Sequence, residues 1–588
     1  MDKKIIPILL IILLPLVPYF NIFQNEFVWD DHVFILDNAD IRSVSNLPLF
    51  FTQDVDGLYR PLRSLHYAFI YSVAGKNKFL YHFNSLLFHT IISILVFLII
   101  FEIVGKRGIA LIAALIFAAH PIHTERVTNI TAGFDLFGIF FMLLAFYLYV
   151  KFSKSGNKEY FLSSLLFFLI AIFSSEEAIV LPLLVVLYEF CFNREKFYKK
   201  LIKNNLIKNC SYYFIIGLFY AAIRFFVIGV RGRVEEYLAG SFFLTMLTML
   251  KVYVYYIYLL IFPVNLTLFH DIVSVTSIFD PKALISALIL AVIFFFAIKF
   301  NRNKILFFSV FWFFIALIPF SNILPLQNFM AERYLYVPSV SFSLLVSYFL
   351  FLIFNSDKKK IAKSAVVVFI ISLLGFYVLS TVNRNNDWRD NLTLWSRTVE
   401  TSPNSGIAHD NLGFTYEHDG DAEKALVEFE KAVKLQPDNF KALANLGVVY
   451  AKLGLYNESI ASLESSIEIK KYYKTYDKLG LVYAELNMEK EAIESFKEAI
   501  KINSRYAKAH NDLATVYGQM GDFDLALQEF NEAIKIDKDY ADAHYNLGIL
   551  LEFMKQNDLA EKEFEIAAKL EPINQLYIKK VISLKDKR

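Results

Sequence analysis

Only two cysteines occur in the 588 residues, Cys191 and Cys210. They flank a basic loop expected inside the cell, so a structural disulfide is not expected. Net charge is also nearly absent. The 59 Lys and Arg against 57 Asp and Glu leave +2, which does not point to nucleic acid. The N-terminal stretch 1–23 carries Lys3 and Lys4 before an apolar run but lacks a small-residue cleavage site. It is therefore expected to be an uncleaved first span rather than a signal peptide. What the chain has in excess is apolar and aromatic residues: 56% are hydrophobic, with 60 Phe and 34 Tyr.

That excess is confined to the front two-thirds. Apolar runs at 5–23, 81–103, 134–150, 161–173, 179–192 and 212–229 are followed by others up to Thr381. Runs near 20 residues match what an α-helix needs to cross about 30 Å of hydrocarbon. Lys and Arg gather in alternate loops, at Lys3/Lys4, Lys106/Arg107, Lys151/Lys154/Lys158, 194–208, Arg302/Lys304 and 358–363. Such loops stay cytoplasmic. The N-terminus is then inside, and segments 24–80, 120–133, 174–177 and 321–338 are outside. A last span near 365–382 leaves the remainder outside as well. The run 242–262 conflicts with this alternation and carries Lys251 near its middle, where a charge is expensive in lipid. It is expected to be a re-entrant or interfacial helix beside eleven true spans.

After residue 385 the pattern changes. Leu412/Gly413, Leu446/Gly447, Leu479/Gly480, Leu513/Ala514 and Leu547/Gly548 recur at about 34 residues, with tyrosine three positions later at Tyr416, Tyr450, Tyr483 and Tyr517. Ala425, Ala492, Ala526 and Ala560 precede Phe429, Phe496, Phe530 and Phe564, and Pro437 and Pro572 close their units. Small residues let paired helices approach and aromatics fill the gap, which is the tetratricopeptide (TPR) pattern. Five repeats are expected over 406–574. Before them, 386–405 is a junction with a half-repeat cap around Trp395, and 575–588 forms a tail. Stacked repeats build a concave face suited to an extended peptide or another protein. His510, Asn511, His544 and Asn546 on first helices are candidate acceptor contacts, as are Tyr472 and Tyr473. A rigid spacer or a self-association element is the plainer reading of the array.

Chemistry-bearing residues of the apolar part cluster at the outer ends of spans. Trp29-Asp30-Asp31-His32 follows the first span, and paired carboxylates suit a general base, a metal site or hydroxyl binding. On composition alone, acidic residues of a solvated loop are the favoured reading. His82, Asn84 and His89 sit at the end of the second span, and His120, His123, Glu125 and Asp135 at the break between the third and fourth. Glu176 and Glu177 form a tight turn, and Glu332, Arg333 and Tyr334 open a later span. Ionisable groups at span ends are costly unless they pair or line a wet cavity, so one pocket at one leaflet is expected. Arg60, Arg63 and Arg333 are natural phosphate partners because guanidinium donates in pairs and keeps its charge when buried. For Arg333, an ion pair with Glu332 or another loop carboxylate is the competing reading. His120 and His123 lack a third ligand, so no metal site is assigned.

Val28-Trp29-Asp30-Asp31, Tyr59-Arg60-Pro61-Leu62, Tyr81-His82-Phe83-Asn84 with His89, 120–125 and 331–339 occur in an order that resembles the transmembrane and tetratricopeptide-repeat family. That family lies within the GT-C class of polyprenol-dependent glycosyltransferases, and with the repeats the resemblance covers nearly the whole chain. It implies an all-α protein: a polytopic GT-C-type membrane domain over 1–385, then a TPR α-solenoid. It also implies O-mannosyl transfer from a lipid-phosphate-linked mannose, with an acidic residue of the first external loop as base. Asp30 is the better choice, with Asp31 positioning it or sharing charge. Where the family carries Ser-Lys-Glu, this chain has Ser174-Ser175-Glu176-Glu177, so phosphate contacts must come from elsewhere.

The expected activity is transfer of mannose or a similar hexose from a polyprenyl-phosphate carrier to a hydroxyl of an exported protein held by the repeats, with inversion. The lipid-linked sugar is a co-substrate and no cofactor is assigned. A membrane-anchored TPR scaffold for envelope assembly, without catalysis, is the alternative. A transporter fits less well, because the polar groups lie at span ends rather than near the midplane.

Overall fold

The computed structural model describes residues 5–55, 57–193, 205–227, 229, 237–355 and 360–585. Lys3, Lys4, the basic stretch 194–204, Lys358 and Lys359 lie outside the described residues. Among the described residues the structure is all-α, apart from one isolated bridge between Val55 and Leu58. Two compact units divide the chain, Met1–Ser402 and Pro403–Arg588.

The first unit is a multi-pass membrane body. Among the described residues, seven helices are long and apolar enough to cross a bilayer: Lys78–Val104, Ile130–Ser155, Leu206–Phe226, Phe242–Ile261, Pro281–Lys299, Pro338–Asn355 and Lys363–Asn386. An eighth forms if the pair Arg107–Ala119 and Pro121–Thr128, bent by 51°, is one span. The bend has a local cause. His120 precedes Pro121, whose ring disfavours the α conformation, and His120 adopts an extended one (φ −65°, ψ 125°).

Four further apolar helices are shorter than these. Ile6–Leu16 and Lys304–Ala316 are apolar but short, and Lys158–Ser174 and Leu181–Phe192 have only 17 and 12 residues. The helix Phe242–Ile261, expected to be re-entrant, has the length and apolarity of the other spans. Its central Lys251 donates to the Val273 carbonyl at 2.7 Å, so the ammonium is not stranded.

The core of this unit is built where small residues meet large ones. Ala110, Ala113 and Ala114 pack into one fully buried cluster with Ile92, Val96, Met142, Phe146 and Tyr149. The helix Asn391–Thr401 belongs to the same unit, with Trp395 buried and edge-on to Trp29 at 5.9 Å.

The second unit contains five helix pairs, from Gly406–His418 with Ala422–Leu435 to Ala541–Phe553 with Asn557–Leu570, and then Gln575–Lys585. The glycines of the Leu-Gly pairs are where paired helices touch. A Cβ at Gly480 or Gly548 would lie 2.7 Å from Phe496 or Phe564, and one at Gly447 2.7 Å from Leu463. His409, His510 and His544 repeat one clamp. Each bonds through Nδ1 to a glutamate 19 residues later (Glu428, Glu529, Glu563) and through Nε2 to a carbonyl six residues earlier. His510 and His544, expected as acceptor contacts, are therefore buried clamps between the helices of a pair. Asn546 donates to Asn511 Oδ1 at 3.0 Å, linking neighbouring first helices.

Candidate active site

The first unit holds a cavity of about 380 Å³ whose wall includes Asp30, Arg60, Arg63, Arg126, Asp135, Glu176, Glu177, Arg224, Arg333 and Tyr334. Five arginines and four carboxylates from widely separated segments thus share one space.

The segment carrying Asp30 is held in an unusual shape. Trp29 has φ 53°, a left-handed conformation that costs energy for a bulky residue and persists only when its surroundings enforce it. Its N–H donates to Asn391 Oδ1 at 2.9 Å, and its ring packs edge-on against Phe269 and Trp395. Asp30 then lies at the cavity wall, half-buried, while Asp31 is fully buried and absent from the lining. The Asp31 carboxylate accepts from Val28 N–H at 3.0 Å, Thr131 N–H at 2.8 Å and Thr131 Oγ at 2.6 Å. It ties the Asp30 segment to residues 129–133, and burial pushes it up to about 7. Its place is structural rather than beside Asp30 at the cavity.

Asp135, at the first turn of its helix, gathers the positive charge. It lies 2.9 Å from Arg60, 3.0 Å from Arg63 and 2.8 Å from Arg126. Arg126 also pairs with Glu177 and donates to the Arg333 carbonyl at 3.0 Å. Burial holds the Glu177 carboxyl above its usual range. Glu125 takes the Arg333 backbone N–H at 2.8 Å and its guanidinium, so Arg333 pairs with Glu125 and not with Glu332. Burial opposes the Arg333 charge, yet Glu125, Tyr334 and Asp30 hold its pKa above the ordinary value. The Arg333 guanidinium lies 6.0 Å from the Trp29 ring, within cation–π reach.

Other expected pocket residues do not line the cavity. His82 bonds the Asn25 carbonyl at 3.3 Å and Asn84 meets His66 at 3.1 Å. His120 donates to the Leu260 carbonyl at 3.0 Å, and His123 shares a 2.8 Å bond with Ser339. His89 lies between Tyr336 and the Ala118 carbonyl. These buried rings tie helices together through bonds that a polar group needs once water is gone. Glu332 is likewise fully buried, accepting from Thr267 N–H at 2.6 Å and His270 at 3.0 Å. Glu125 sits directly behind the wall through Arg333. Among the described residues no three His, Cys, Asp or Glu side chains cluster to hold a metal ion.

Arg126 and Arg224 were not singled out from the sequence. Arg224 lies in the last turn of an apolar span, and a charge within such a span is by default a functional candidate. Arg126 adjoins Glu125 in the segment where the third span breaks.

The fold and site define a polytopic helical membrane protein with a buried guanidinium–carboxylate cavity, joined to a TPR array. Residues 61–220, which carry Arg63, Arg126, Asp135, Glu176 and Glu177 of that wall, match the family model described as dolichyl-phosphate-mannose-protein mannosyltransferase. TPR models match 418–454, 480–521 and 516–552, and also 440–473 and 541–574. The chain is similar to Protein O-mannosyl-transferase F38B6.6 of Caenorhabditis elegans, 27% identical over 455 residues, covering 73% of this chain and 63% of that protein. It is also similar to Protein O-mannosyl-transferase TMTC3 of Mus musculus, 28% identical over 487 residues, covering 76% of this chain and 52% of that one. The chain thus spans about half to two-thirds of the length of these relatives.

Proposed function

We propose that this protein is an inverting membrane glycosyltransferase that moves mannose or a similar hexose from a polyprenyl phosphate to a hydroxyl of an exported protein. The N-terminus is cytoplasmic, and both the cavity and the repeats work on the far side of the membrane. Asp30 takes the proton of the acceptor hydroxyl as its oxygen attacks the anomeric carbon. The bond from that carbon to the phosphate oxygen breaks, and the lipid leaves as the phosphate. Charge growing on the phosphate meets preorganised guanidinium groups, and removing one such donor typically costs about 10²–10³ in turnover. The TPR array, on the same chain, binds the acceptor polypeptide and raises its effective concentration.

One observation carries this reading: Asp30 faces the same 380 Å³ cavity as Arg60, Arg63, Arg126, Arg224 and Arg333. A scaffold without catalysis has no need of such a cavity. The test is incubation of purified protein with radiolabelled polyprenyl-phosphate mannose and co-purified exported proteins. Label should enter Ser or Thr residues, with the α or β configuration of the donor inverted in the product. Label that stays in the lipid fraction under every donor and acceptor tried rejects the reading.

A further inference from the structure

We propose that Glu176 is a resident counter-ion on Arg224, displaced when the phosphate of a polyprenyl monophosphate enters and takes Arg224 as its ligand. The inference rests on the functional reading above and deepens it by naming where the donor headgroup engages.

Arg224 stands at the end of a span with its own geometry. Residues Ile223–Val227 form a π-helical turn closing the helix Leu206–Phe226, and π-turns inside helices collect at functional sites. Only 22% of this span is buried. Leu218, Phe219 and Phe226 are 68%, 56% and 88% exposed, presenting apolar surface suited to hydrocarbon. Arg224 itself is 13% exposed and reaches the cavity wall. The span is fixed to the arginine-bearing loop by Tyr220, whose hydroxyl donates to the Tyr59 carbonyl at 2.9 Å. A chain lying along this helix would therefore bring its headgroup to Arg224 on entering.

The other guanidiniums are committed. Asp135 is shared by Arg60, Arg63 and Arg126, Arg126 also has Glu177, and Arg333 is held by Glu125. Among the described residues Arg224 has a single carboxylate partner, Glu176, at 2.6 Å. That contact is close but poorly aligned: Glu176 Oε1 accepts no hydrogen bond among the described residues. Glu176 is also the most exposed of the paired carboxylates at the cavity, 28% against 10% for Asp135 and 11% for Glu177. Its second contact, to Arg60, is long at 3.7 Å. The buried Nε–H groups of Arg60, Arg63, Arg126 and Arg224 have no partner among the described residues. Unpaired buried donors favour an anion with several acceptor oxygens. A phosphate meets that demand better than one misaligned carboxylate, and Glu176 is the group able to yield.

The test is binding of radiolabelled polyprenyl monophosphate to the full-length protein in nanodiscs, with inorganic phosphate as a second arm. Glu176→Gln removes the competitor and should tighten lipid-phosphate binding about five- to tenfold, a gain that misfolding cannot imitate. Arg224→Gln should weaken it at least tenfold, and Arg224→Lys should restore part of the loss. In the Arg224→Gln background, Glu176→Gln should no longer tighten binding, because the two residues act through one contact. In turnover, these changes should appear in the donor KM. Inorganic phosphate should fail to displace the lipid at equal concentration. Unchanged or weaker binding in Glu176→Gln, or the same gain in both backgrounds, overturns the inference. So does equal binding of inorganic phosphate. If wild type binds no polyprenyl phosphate at all, the proposed function fails with it, whereas wild-type binding that ignores residue 176 sinks only the exchange.

Discussion

Replacing Asp31 by asparagine should make the stability curves of variant and wild type cross as pH changes. In the folded chain this carboxyl is fully buried and pushed up from 3.8 to about 7. Between about pH 4 and 7 the folded state therefore keeps a proton that the unfolded chain has released. Stability falls across that window as pH rises, by about 4 kcal/mol in all, and is flat above it. The asparagine does not titrate, so the variant's curve lacks this slope. Its side chain still accepts from the Thr131 N–H and hydroxyl through Oδ1, but its amide nitrogen cannot accept from Val28 N–H. One orphaned buried donor costs about 1–3 kcal/mol. The variant should be the less stable protein near pH 4.5 and the more stable one near pH 8. Thermal aggregation midpoints in detergent, taken from pH 4.5 to 8.5, read this directly. Parallel curves would refute both the burial of an ionisable Asp31 and its assignment as a structural tie.

Three further outcomes follow from the same geometry. Gly138→Ala places a Cβ 2.7 Å from that of Ser175 and must shift the turn bearing Glu176 and Glu177. It should cost about 1–3 kcal/mol of stability and lower kcat/KM at least tenfold, and normal kinetics would break the link between that contact and the site. Trp29→Gly relieves the left-handed strain yet loses the packing on Phe269 and Trp395. Transfer should drop sharply while membrane yield holds, so full activity would show that the shape at residue 29 is incidental. In the repeats, burial opposes the charge on His510 and His544, but Glu529 and Glu563 raise their pKa above 6.5 overall. Their contribution is complete below the unfolded value and disappears as pH rises through the higher folded one. Hydrogen-exchange protection of helices Ala507–Met520 and Ala541–Phe553 in the full chain should fall from pH 5.5 to 8.5, and His544→Gln should flatten that change for the second helix.

The repeats were legible because their packing rule is local and periodic. Gly413, Gly447, Gly480 and Gly548 abut the bulky residue 16 positions later, so a 34-residue spacing carries the structure on its face. The membrane body was legible only as composition. How Lys251 is satisfied was not legible, because its acceptor, the Val273 carbonyl, lies 22 residues away. The histidines show the same limit. In sequence His82, His120 and His123 look like site residues, yet distant carbonyls and a serine absorb them. Asp30, Arg60 and Arg333 were visible as polar groups at span ends. Arg126 and Arg224 were hidden, one by its neighbours and one by the apolar run that contains it.

The central claim is that Asp30 takes the acceptor proton in a cavity whose arginines hold the lipid phosphate. The most direct test compares wild type and Asp30→Asn for donor binding and sugar transfer in one preparation. The account predicts polyprenyl-phosphate binding within about threefold of wild type, with transfer reduced by at least about a thousandfold. Transfer within tenfold of wild type by the variant would contradict it.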